Sequence, residues 1–404
     1  MKRGEKENFT ISFTPQSYAV ERFLEAHAEE LNKPAVDNTV VRENGSFTFK
    51  KGESGYNVNV DNSVEAVRAF FEEKWDGANG SIELAMDEVK PRGEEADFAK
   101  IKDVLGTYST EYGSSPSGRK TNIINGASKV NGSVLFPGDE IWVAAKLAPI
   151  DEEHGYAEGT AYENGQVVPS VGGGVCQVSS TLYNAAILAE LDITERSEHS
   201  MTVSYVEPSR DAAIAGTVKD LKFKNNLKSP IYIDIATSDS QITATVYGEE
   251  TRPANRKVEY EAEILSKTEP KTVYIADGSQ PIGYKSGGGD AHTGYTAKLW
   301  KIVTVDGKEE SREVFNTSHY SVKNIEYHIG TASPSGEGAA AVNAAVASQD
   351  INAINAAIGQ WNDSAIAARI EEAQAGAGVD AAAAEADTGV AIAAEEALGG
   401  AVAQ

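Results

Sequence analysis

The chain has 404 residues, 41% of them apolar, and a formal net charge of −25. A chain of this length is expected to form two to four domains of roughly 100–200 residues each. Because so acidic a protein is repelled by nucleic acid phosphates and anionic lipid, we exclude DNA, RNA and membrane surfaces as its primary partners. The elements described below predict an α+β, multidomain fold.

The start of the chain carries no recognisable export signal. No run approaches about 18 consecutive apolar residues, so we predict no transmembrane helix and no membrane insertion by this chain. The opening MKRGEKENFTISFTP has a basic start without an apolar stretch, which excludes a signal peptide. The sequence FTISFTPQSYAVERFLEAH reads as the end of a larger module and indicates truncation.

Residues 1–115 mix helical and strand patterns and predict a mixed α+β module of two short repeats. Apolar residues at helical spacing between Ser17 and Leu31 predict a first helix. A second helix is predicted over Ser63–Lys74, with Ser63 as its N-cap. Between the two helices, short strands are expected around an Asn44-Gly45 turn.

A turn or linker, the Gly-Ser-Ser-Pro-Ser-Gly run of residues 113–118, separates this module from the next. Residues 116–250 form the predicted central α+β domain, which is the densest in motifs. Within it, residues 228–248 show the apolar alternation of two strands.

Residues 255–330 are rich in strand patterns and predict a small, elongated all-β module that is interrupted by the glycine run at 287–289. From residue 331 to 404 the chain is rich in Ala and Gly and strongly acidic. Such a stretch has too few large apolar side chains to offset the entropy lost on ordering. We predict a disordered or loosely helical low-complexity tail.

The candidate site lies between Pro169 and Tyr205 and begins with three glycines, Gly172-Gly173-Gly174. Glycines let the backbone turn sharply and bring bare N–H groups close to a ligand. A flexible loop is the other interpretation. Because no Lys-Ser/Thr pair follows, the glycines do not form a Walker phosphate loop.

Cys176 is the only cysteine of the chain and precedes a helical apolar stripe made of Val178, Leu182, Ala185, Ala186, Ala189 and Leu191. Polar residues, among them Gln177 and Ser179, fill its first turn, as at a helix start. A helix N-terminus stabilises a thiolate and lowers its pKa, and the preceding glycines are candidate oxyanion donors. These features favour a nucleophile, but the pattern is equally that of a small buried residue.

From His199 to Tyr205 the sequence is His-Ser-Met-Thr-Val-Ser-Tyr, in which every second residue is a serine or threonine. This alternation predicts a strand that places His199 on the same face as apolar residues. A cysteine at a helix start that faces a histidine on a strand is the general plan of many cysteine acyl-transfer enzymes. A single histidine on a strand is more often structural, so the sequence leaves open whether His199 is a catalytic base or a structural residue.

Other polar residues are candidate ligands of a substrate or a metal. Arg119, Asn122 and Asn125 are candidates for binding a carboxylate, with ordinary turn and strand-edge roles as the alternative. His154 directly follows two glutamates, a spacing that does not suit a metal site. We therefore expect no metal and no cofactor.

Several motifs together resemble the VanW-like family. They are RKTNIINGASKVNGSVLFPGDE, GGGVCQVSSTLYNAAI, ERSEHSMTVSYV, RDAAIAG and DLKFKNNLKSPIYI, which lie within about residues 118–250. Residues 1–115 resemble the peptidoglycan-binding module that often precedes this domain. Residues 255–330 are similar to the glycine-containing G-five module through GYKSGGGDAHTGYTAKLWKIV. Where the family usually has a glycine before the RDAA aspartate region, this chain has Ser209-Arg210.

The resemblance implies bacterial cell-wall work in the cell envelope or outside the cell, on peptidoglycan stem peptides and glycan. Some members look like L,D-transpeptidases that use the motif cysteine. Carried over, Cys176 is the nucleophile, His199 the general base and acid, and Asp211 the residue that orients the imidazole, with Ser200 as the alternative. The candidate substrate-binding residues are Gly172, Gly173, Gly174, Gln177, Ser179, Arg119 and Asn122.

Two other functions remain open at this point. One is a non-catalytic peptidoglycan-binding or envelope scaffold protein linked to glycopeptide resistance, from which the family takes its name. The other is a cysteine peptidase or amidase that cuts the same stem peptides, because acyl transfer to water and to an amine uses the same residues. The sequence does not indicate an oligomeric state.

Overall fold

Helices and small, mainly antiparallel sheets alternate along the chain. The structure is a computed structural model that describes residues 15–163, 166–362, 364–365 and 367–368. The mixture of helices and several separate sheets confirms the predicted α+β, multidomain fold class. None of the helices in the described ranges combines the length and apolar character needed to span a bilayer.

The N-terminal region contains α1 (Ser17–Ala26), α2 (Ala28–Leu31), β1 (Thr39–Glu43), β2 (Ser46–Lys50), β3 (Gly55–Val58), α3 (Val60–Glu73), β4 (Met86–Val89) and α4 (Glu95–Phe98). Strand β1 pairs with β2 through the predicted Asn44-Gly45 turn, where both residues have positive φ. Helix α3 begins earlier than predicted. Its N-cap is Asn59, whose side chain accepts the N–H of Asn62, while Ser63 is buried inside the helix.

Part of the N-terminal prediction lies outside the described residues. Residues 1–14 include only the first part, residues 9–14, of the stretch that reads as the end of a larger module. The first predicted helix is present, but it is interrupted at His27 and continues as α2.

The central region contains β5 (Asp103–Glu111), α5 (Ser117–Val130), β6 (Ser133–Leu135), β7 (Glu140–Trp142), α6 (Val143–Leu147), β8 (Glu158–Glu163), β9 (Gln166–Val171), α7 (Val175–Leu188), β10 (Asp192–Glu195), β11 (Lys222–Lys224), β12 (Ile231–Thr237) and β13 (Gln241–Gly248). An antiparallel sheet in the order β5-β13-β12-β6 forms its centre, beside a smaller β10-β11-β7 sheet. Strands β8 and β9 form a separate pair.

Helix α7 packs across β5 and β13. The alternating residues predicted for β12 and β13 are buried, and they share one core with Val178 and Leu182 of α7. Gly106 on β5 permits the close approach, because a Cβ at this position would lie 2.3 Å from the carbonyl oxygen of Ala185. The burial of one sheet face thus fixes where α7 lies, and with it the position of Cys176.

The boundary predicted at residue 116 cuts through this sheet. Strand β5 pairs along its whole length with β13, although it precedes the predicted linker. The linker itself is a short turn, since α5 begins at Ser117. We propose that the central domain begins at β5.

The C-terminal region contains β14 (Arg256–Thr268), β15 (Thr272–Pro281), β16 (Lys285–Gly288), β17 (Gly294–Val305), β18 (Lys308–Tyr320), β19 (Ile325–Ala332), α8 (Gly336–Ala347) and α9 (Ile351–Trp361). Strands β14, β17 and β18 form one sheet, and β15, β19 and β16 form the other. We call residues 256–332 the β module. Strands β14, β15, β17 and β19 coincide with the strand patterns of this region. Strand β18 is too polar to show such a pattern.

The tail prediction needs a correction for residues 336–361, which form α8 and α9. Their apolar side chains are buried against the β module in a cluster of Ile282, Ile329, Val342, Val346 and Ile354. Both helices are also capped, by Ser335 and Asp350. The apolar surface that the tail lacks is supplied by the β module. Residues 369–404, the rest of the predicted tail, lie outside the described residues.

Glu190, at the C-terminal end of α7, ties the central domain to the β module. Its carboxylate contacts Arg256 at 2.5 Å and Lys301 at 2.9 Å, and Arg252 lies 3.6 Å away. Burial raises the pKa of this carboxyl, but the hydrogen bonds from Arg256 and Lys301 outweigh burial and lower it to about 2. A negative charge at a helix C-terminus is otherwise unfavourable, so the cations are what stabilise it.

We expect Glu190→Gln to lower the free energy of unfolding by about 2 kcal/mol at pH 7, because three cations lose their shared partner. The folded pKa lies below the ordinary value of 4.5, so this contribution is complete above pH 4.5 and is lost as the pH falls towards 2. Urea unfolding of both proteins between pH 7 and pH 3 measures the difference.

Glu259→Gln is the matched control, because Glu259 forms an exposed ion pair with Lys257. This variant should stay within about 0.5 kcal/mol of the parent protein. A Glu190→Gln effect that is no larger than this, or that does not shrink in acid, would contradict the role given to Glu190.

Candidate functional site

Cys176 lies in the first turn of α7, as predicted, one residue after the helix begins at Val175. Gly174 is the N-cap and has a φ of 116°, a conformation that favours glycine. A Cβ there would also lie 2.8 Å from the Arg119 side chain. Cys176 is half-buried and lines a cleft of about 1120 Å³.

The glycine loop before α7 offers fewer free donors than the sequence suggested. The N–H groups of Gly172 and Gly173 donate to the carbonyls of Ala157 and Ser170, at 3.1 and 3.2 Å. Among the described residues, the N–H groups of Gly174 and Cys176 have no such partner. Candidate oxyanion donors are therefore found at the helix start itself and not along the whole glycine run.

One face of α7 is polar and holds the extended segment 210–214 by its backbone. Four side chains spaced at helical periodicity bind that segment: Cys176, Ser179, Ser180 and Asn184. Ser179 donates to the carbonyl of Ala212 at 2.6 Å, and the N–H of Ile214 donates to the Cys176 sulfur at 3.4 Å. The helix that carries the thiol thereby also positions the segment that carries Asp211.

His199 lies beside Cys176, but not on a strand. Strand β10 ends at Glu195, and residues 196–199 are irregular. The backbone is held by a side chain instead, since the N–H of His199 donates to Asp211 Oδ2 at 2.7 Å. The imidazole Nδ1 contacts the same oxygen at 2.7 Å, and the ring lies close enough to the Cys176 thiol for each group to shift the pKa of the other.

Asp211 is 1% exposed and is held on both carboxylate oxygens. Oδ2 faces His199, while Oδ1 accepts from Arg196 Nη2 at 2.9 Å and from the Tyr320 hydroxyl at 2.5 Å. Ser200, the alternative partner of the imidazole, contributes its carbonyl to the N–H of Ser321. The structure thus brings together the three residues named as catalytic, and their roles stay predictions.

The charges of these three groups support one another. Burial raises the pKa of Cys176, but the hydrogen bond and charge of His199 outweigh it, so the pKa lies below its ordinary value. Burial lowers the pKa of His199, but hydrogen bonds with Asp211 and Cys176 raise it to about 9. Burial raises the pKa of Asp211, and His199 and Arg196 bring it down to about 2. Near neutral pH this favours a thiolate and an imidazolium beside a carboxylate.

Three of the predicted substrate-binding residues are buried within the protein framework. Asn122 clamps the glycine loop, donating to the carbonyls of Ala157 and Gly173 and accepting the N–H of Ala157. Gln177 uses its amide on Thr110 and Glu111 and accepts from Arg119. Ser179 binds segment 210–214. Because their polar atoms are already used within the protein, we propose that these three residues position the loop and helix, with Gln177 also lining the cleft.

Arg119 and the glycines do line the cleft. Arg119 donates to Ser115 and Gln177 at 2.7 Å each, and its guanidinium lies 5.8 Å from the centre of the Tyr205 ring. Asn125 is turned away and donates to the carbonyl of His154. Arg119 is therefore the predicted carboxylate ligand that the cleft geometry favours.

The sequence reading missed one wall of the cleft. Residues 321–324 and Glu326 of the β module line it, together with Lys219 of the central domain. The β-module residues lie more than a hundred positions from Cys176 and carry no motif, so no local signal marks them. Tyr205 also lines the cleft.

Comparison with known proteins decides the family. Residues 118–247 match the model described as "VanW like protein", and residues 1–74 match "Putative peptidoglycan binding domain". The uncharacterized protein YoaR of Bacillus subtilis (strain 168) is 30% identical over 211 residues, which covers 52% of this chain and 68% of YoaR. The chain belongs to the VanW-like family. It is a cell-wall associated protein, and the resemblance drawn from its motifs is confirmed.

Other relatives are more distant. The vancomycin B-type resistance protein VanW of Enterococcus faecalis (strain ATCC 700802 / V583) is 27% identical over 143 residues, which covers 34% of this VanW-like chain and 52% of that protein. Among solved structures, the IgA1 protease G5 domain is 19% identical, covering 19% of this chain and 94% of that domain, with a TM-score of 0.16. The HP0197-G5 structure is 17% identical and covers 19% of this chain and all of its own, with a TM-score of 0.14.

The pKa directions predict how Cys176 reacts with iodoacetamide. A thiolate is the reactive form, so alkylation should remain fast at pH values below the ordinary titration of a thiol. We expect His199→Gln to slow the reaction at pH 7 about tenfold, because burial then raises the pKa without a compensating imidazolium. Alkylation rates between pH 5 and pH 10 measure the effect.

Urea-unfolded protein is the control, since the parent protein and His199→Gln should then react with iodoacetamide at the same rate. Equal native rates for the parent and His199→Gln across the pH range would rule out the ion pair.

Proposed function

We propose that this protein is a cysteine acyltransferase of the L,D-transpeptidase type that crosslinks peptidoglycan stem peptides in the cell envelope. The observation that carries this proposal is the arrangement of Cys176 and His199 on the wall of an open cleft, with the buried Asp211 behind the imidazole. A nucleophile, a base within hydrogen-bonding reach and a third group that orients the base together form the signature of covalent acyl transfer.

The first half of the reaction forms a thioester. The Cys176 thiolate attacks the carbonyl carbon between the L-centre and the terminal D-residue of a donor stem. The new S–C bond forms, the C–N bond breaks, and the imidazolium of His199 gives its proton to the leaving amine of D-alanine. Asp211 holds the imidazole with its Nδ1 occupied, so the other ring nitrogen faces the thiol.

The second half transfers the acyl group to an amine. The side-chain amine of a neighbouring stem attacks the thioester, and the neutral imidazole accepts the proton that this amine loses. The C–N bond forms as the thiolate leaves, which gives a 3→3 crosslink and restores the starting charges.

The oxyanion of both tetrahedral intermediates needs fixed donors. The N–H groups of Gly174 and Cys176 belong to the N-cap and the first turn of α7, where the helix dipole adds to their effect. Arg119, which also lines the cleft, adds a positive charge that attracts the carboxylate of a stem peptide. Both features support acyl transfer to a peptide that carries negative charge.

The decisive experiment is incubation of the protein with disaccharide tetrapeptide and analysis of the products by mass spectrometry. We expect a crosslinked dimer from the parent chain. Cys176→Ala should reduce its rate by roughly a thousandfold or more, because the nucleophile is lost. A trapped acyl-enzyme, heavier than the parent by the mass of the acyl group, should form only when Cys176 is present.

The matched control is Ser128→Ala, which removes an exposed hydroxyl on α5 that bonds only to its own helix, and should leave the rate unchanged. Product formation that survives Cys176→Ala would eliminate this mechanism. Cleaved stems without dimers would indicate a peptidase or amidase. Binding to peptidoglycan without any turnover would leave a wall-binding scaffold as the function.

A further inference from the structure

The β module reaches into the candidate site through one face of strand β18. We propose that this module is a working part of the active site and that Tyr320 is a positioning residue that holds Asp211 in the orientation His199 requires. This inference rests on the proposed function, because it assigns a role within the same site. It concerns residues outside the region that matches the VanW-like model.

The direction of the Tyr320 hydrogen bond follows from its two partners. Its hydroxyl oxygen accepts the N–H of Ser209 at 2.6 Å, so its own proton is directed to Asp211 Oδ1, 2.5 Å away. Tyr320 is 4% exposed, and burial together with the charge of Asp211 raises the pKa of the phenol above its ordinary value. The phenol therefore remains a donor over the whole working pH range.

Ser318, two residues earlier on the same face of β18, makes a second link. Its hydroxyl accepts from Arg196 Nη1 at 2.8 Å, and the same guanidinium donates through Nη2 to Asp211 Oδ1 and through Nε to the Asp211 carbonyl. Asn316, a further two residues back, donates to the hydroxyl of Tyr183 on α7 at 2.6 Å. The alternation of a strand thus presents three polar side chains to the central domain.

These contacts act on the half of the carboxylate that faces away from the histidine. Oδ1 is pinned by Tyr320 and Arg196, which leaves Oδ2 directed at the backbone N–H and the ring of His199. A carboxylate that turned about its bond would lose contacts on both oxygens. Catalytic groups need this kind of support, because small displacements of an oriented base cost large factors in rate.

The same stretch of chain also shapes the cleft. Ser321 directly follows Tyr320, and its N–H donates to the carbonyl of Ser200, the residue after His199, at 2.7 Å. Residues 321–324 then continue as one wall of the cleft. The β module therefore both orients the catalytic carboxylate and limits where a substrate lies.

Tyr320→Phe in the full chain tests the role of the phenol. Without the Tyr320 hydroxyl, Oδ1 of Asp211 keeps only its hydrogen bond with Arg196, and we expect the carboxylate to turn away from His199. The protonated form of His199 is then less stable. The midpoint of Cys176 alkylation against pH should rise by about 0.5–1 unit, since that thiolate depends on His199. The transpeptidation kcat should fall about tenfold with little change in KM, because the orientation of the catalytic base affects the transition state more than substrate binding.

Tyr260→Phe is the matched control. Tyr260 is also a buried tyrosine of the β module, 7% exposed, and its hydroxyl donates to the carbonyl of Ile187 outside the site. It should lose similar stability but keep the alkylation profile and kcat of the parent. A Tyr320→Phe profile that equals the parent's, or a midpoint that falls, would overturn the proposal.

Ser318→Ala is a second variant that decides the question if Tyr320→Phe does not fold. It removes only one of the hydrogen-bond partners of Arg196 and should raise the midpoint by a smaller amount. An unchanged midpoint would overturn the proposal. Failure of the proposed function looks different. If neither the parent chain nor any variant makes crosslinked product, but Tyr320→Phe still raises the midpoint of Cys176 alkylation, the positioning role stands and the transpeptidase assignment is wrong.

Discussion

A carboxylate buried to 1% exposure, that of Asp211, is the constraint on which the candidate site depends. A buried charge is stable only when it is paired and fully hydrogen-bonded. Asp211 meets this condition with donors from three places: Arg196 and His199 before it in the chain, and Tyr320 from the β module. Because all three donors are needed at once, the site forms only when the central domain and the β module are packed together.

The position of the thiol is set by a second constraint, the two-sided character of α7. One face of the helix packs its apolar residues on the sheet, where Gly106 allows a close approach. The opposite face uses Cys176, Ser179, Ser180 and Asn184 to bind the backbone of segment 210–214. Since the sheet fixes the helix and the helix fixes the segment, Asp211 and Cys176 are held in one rigid frame.

Ser209 illustrates the cost of joining these parts. Its φ of 68° lies in the left-handed region that favours glycine. The strain is offset locally, since its N–H, hydroxyl and carbonyl bind Tyr320, Ala297 and Asn316 of the β module. A serine is thus tolerated here because the neighbouring module satisfies its polar groups.

The sequence by itself determined the local elements: the start of α7 at the cysteine, the Asn44-Gly45 hairpin and the alternating strands β12 and β13. Their signals are short-range periodicity and capping, which depend on neighbours within a few residues. Only the tertiary structure decided that His199 lies on irregular chain held by Asp211, that Asn122 and Ser179 are framework residues, and that residues 336–361 are ordered. It also decided that β18 completes the site. Each of these depends on contacts between distant segments, and a polar side chain does not reveal in sequence whether its partner is water, substrate or buried backbone.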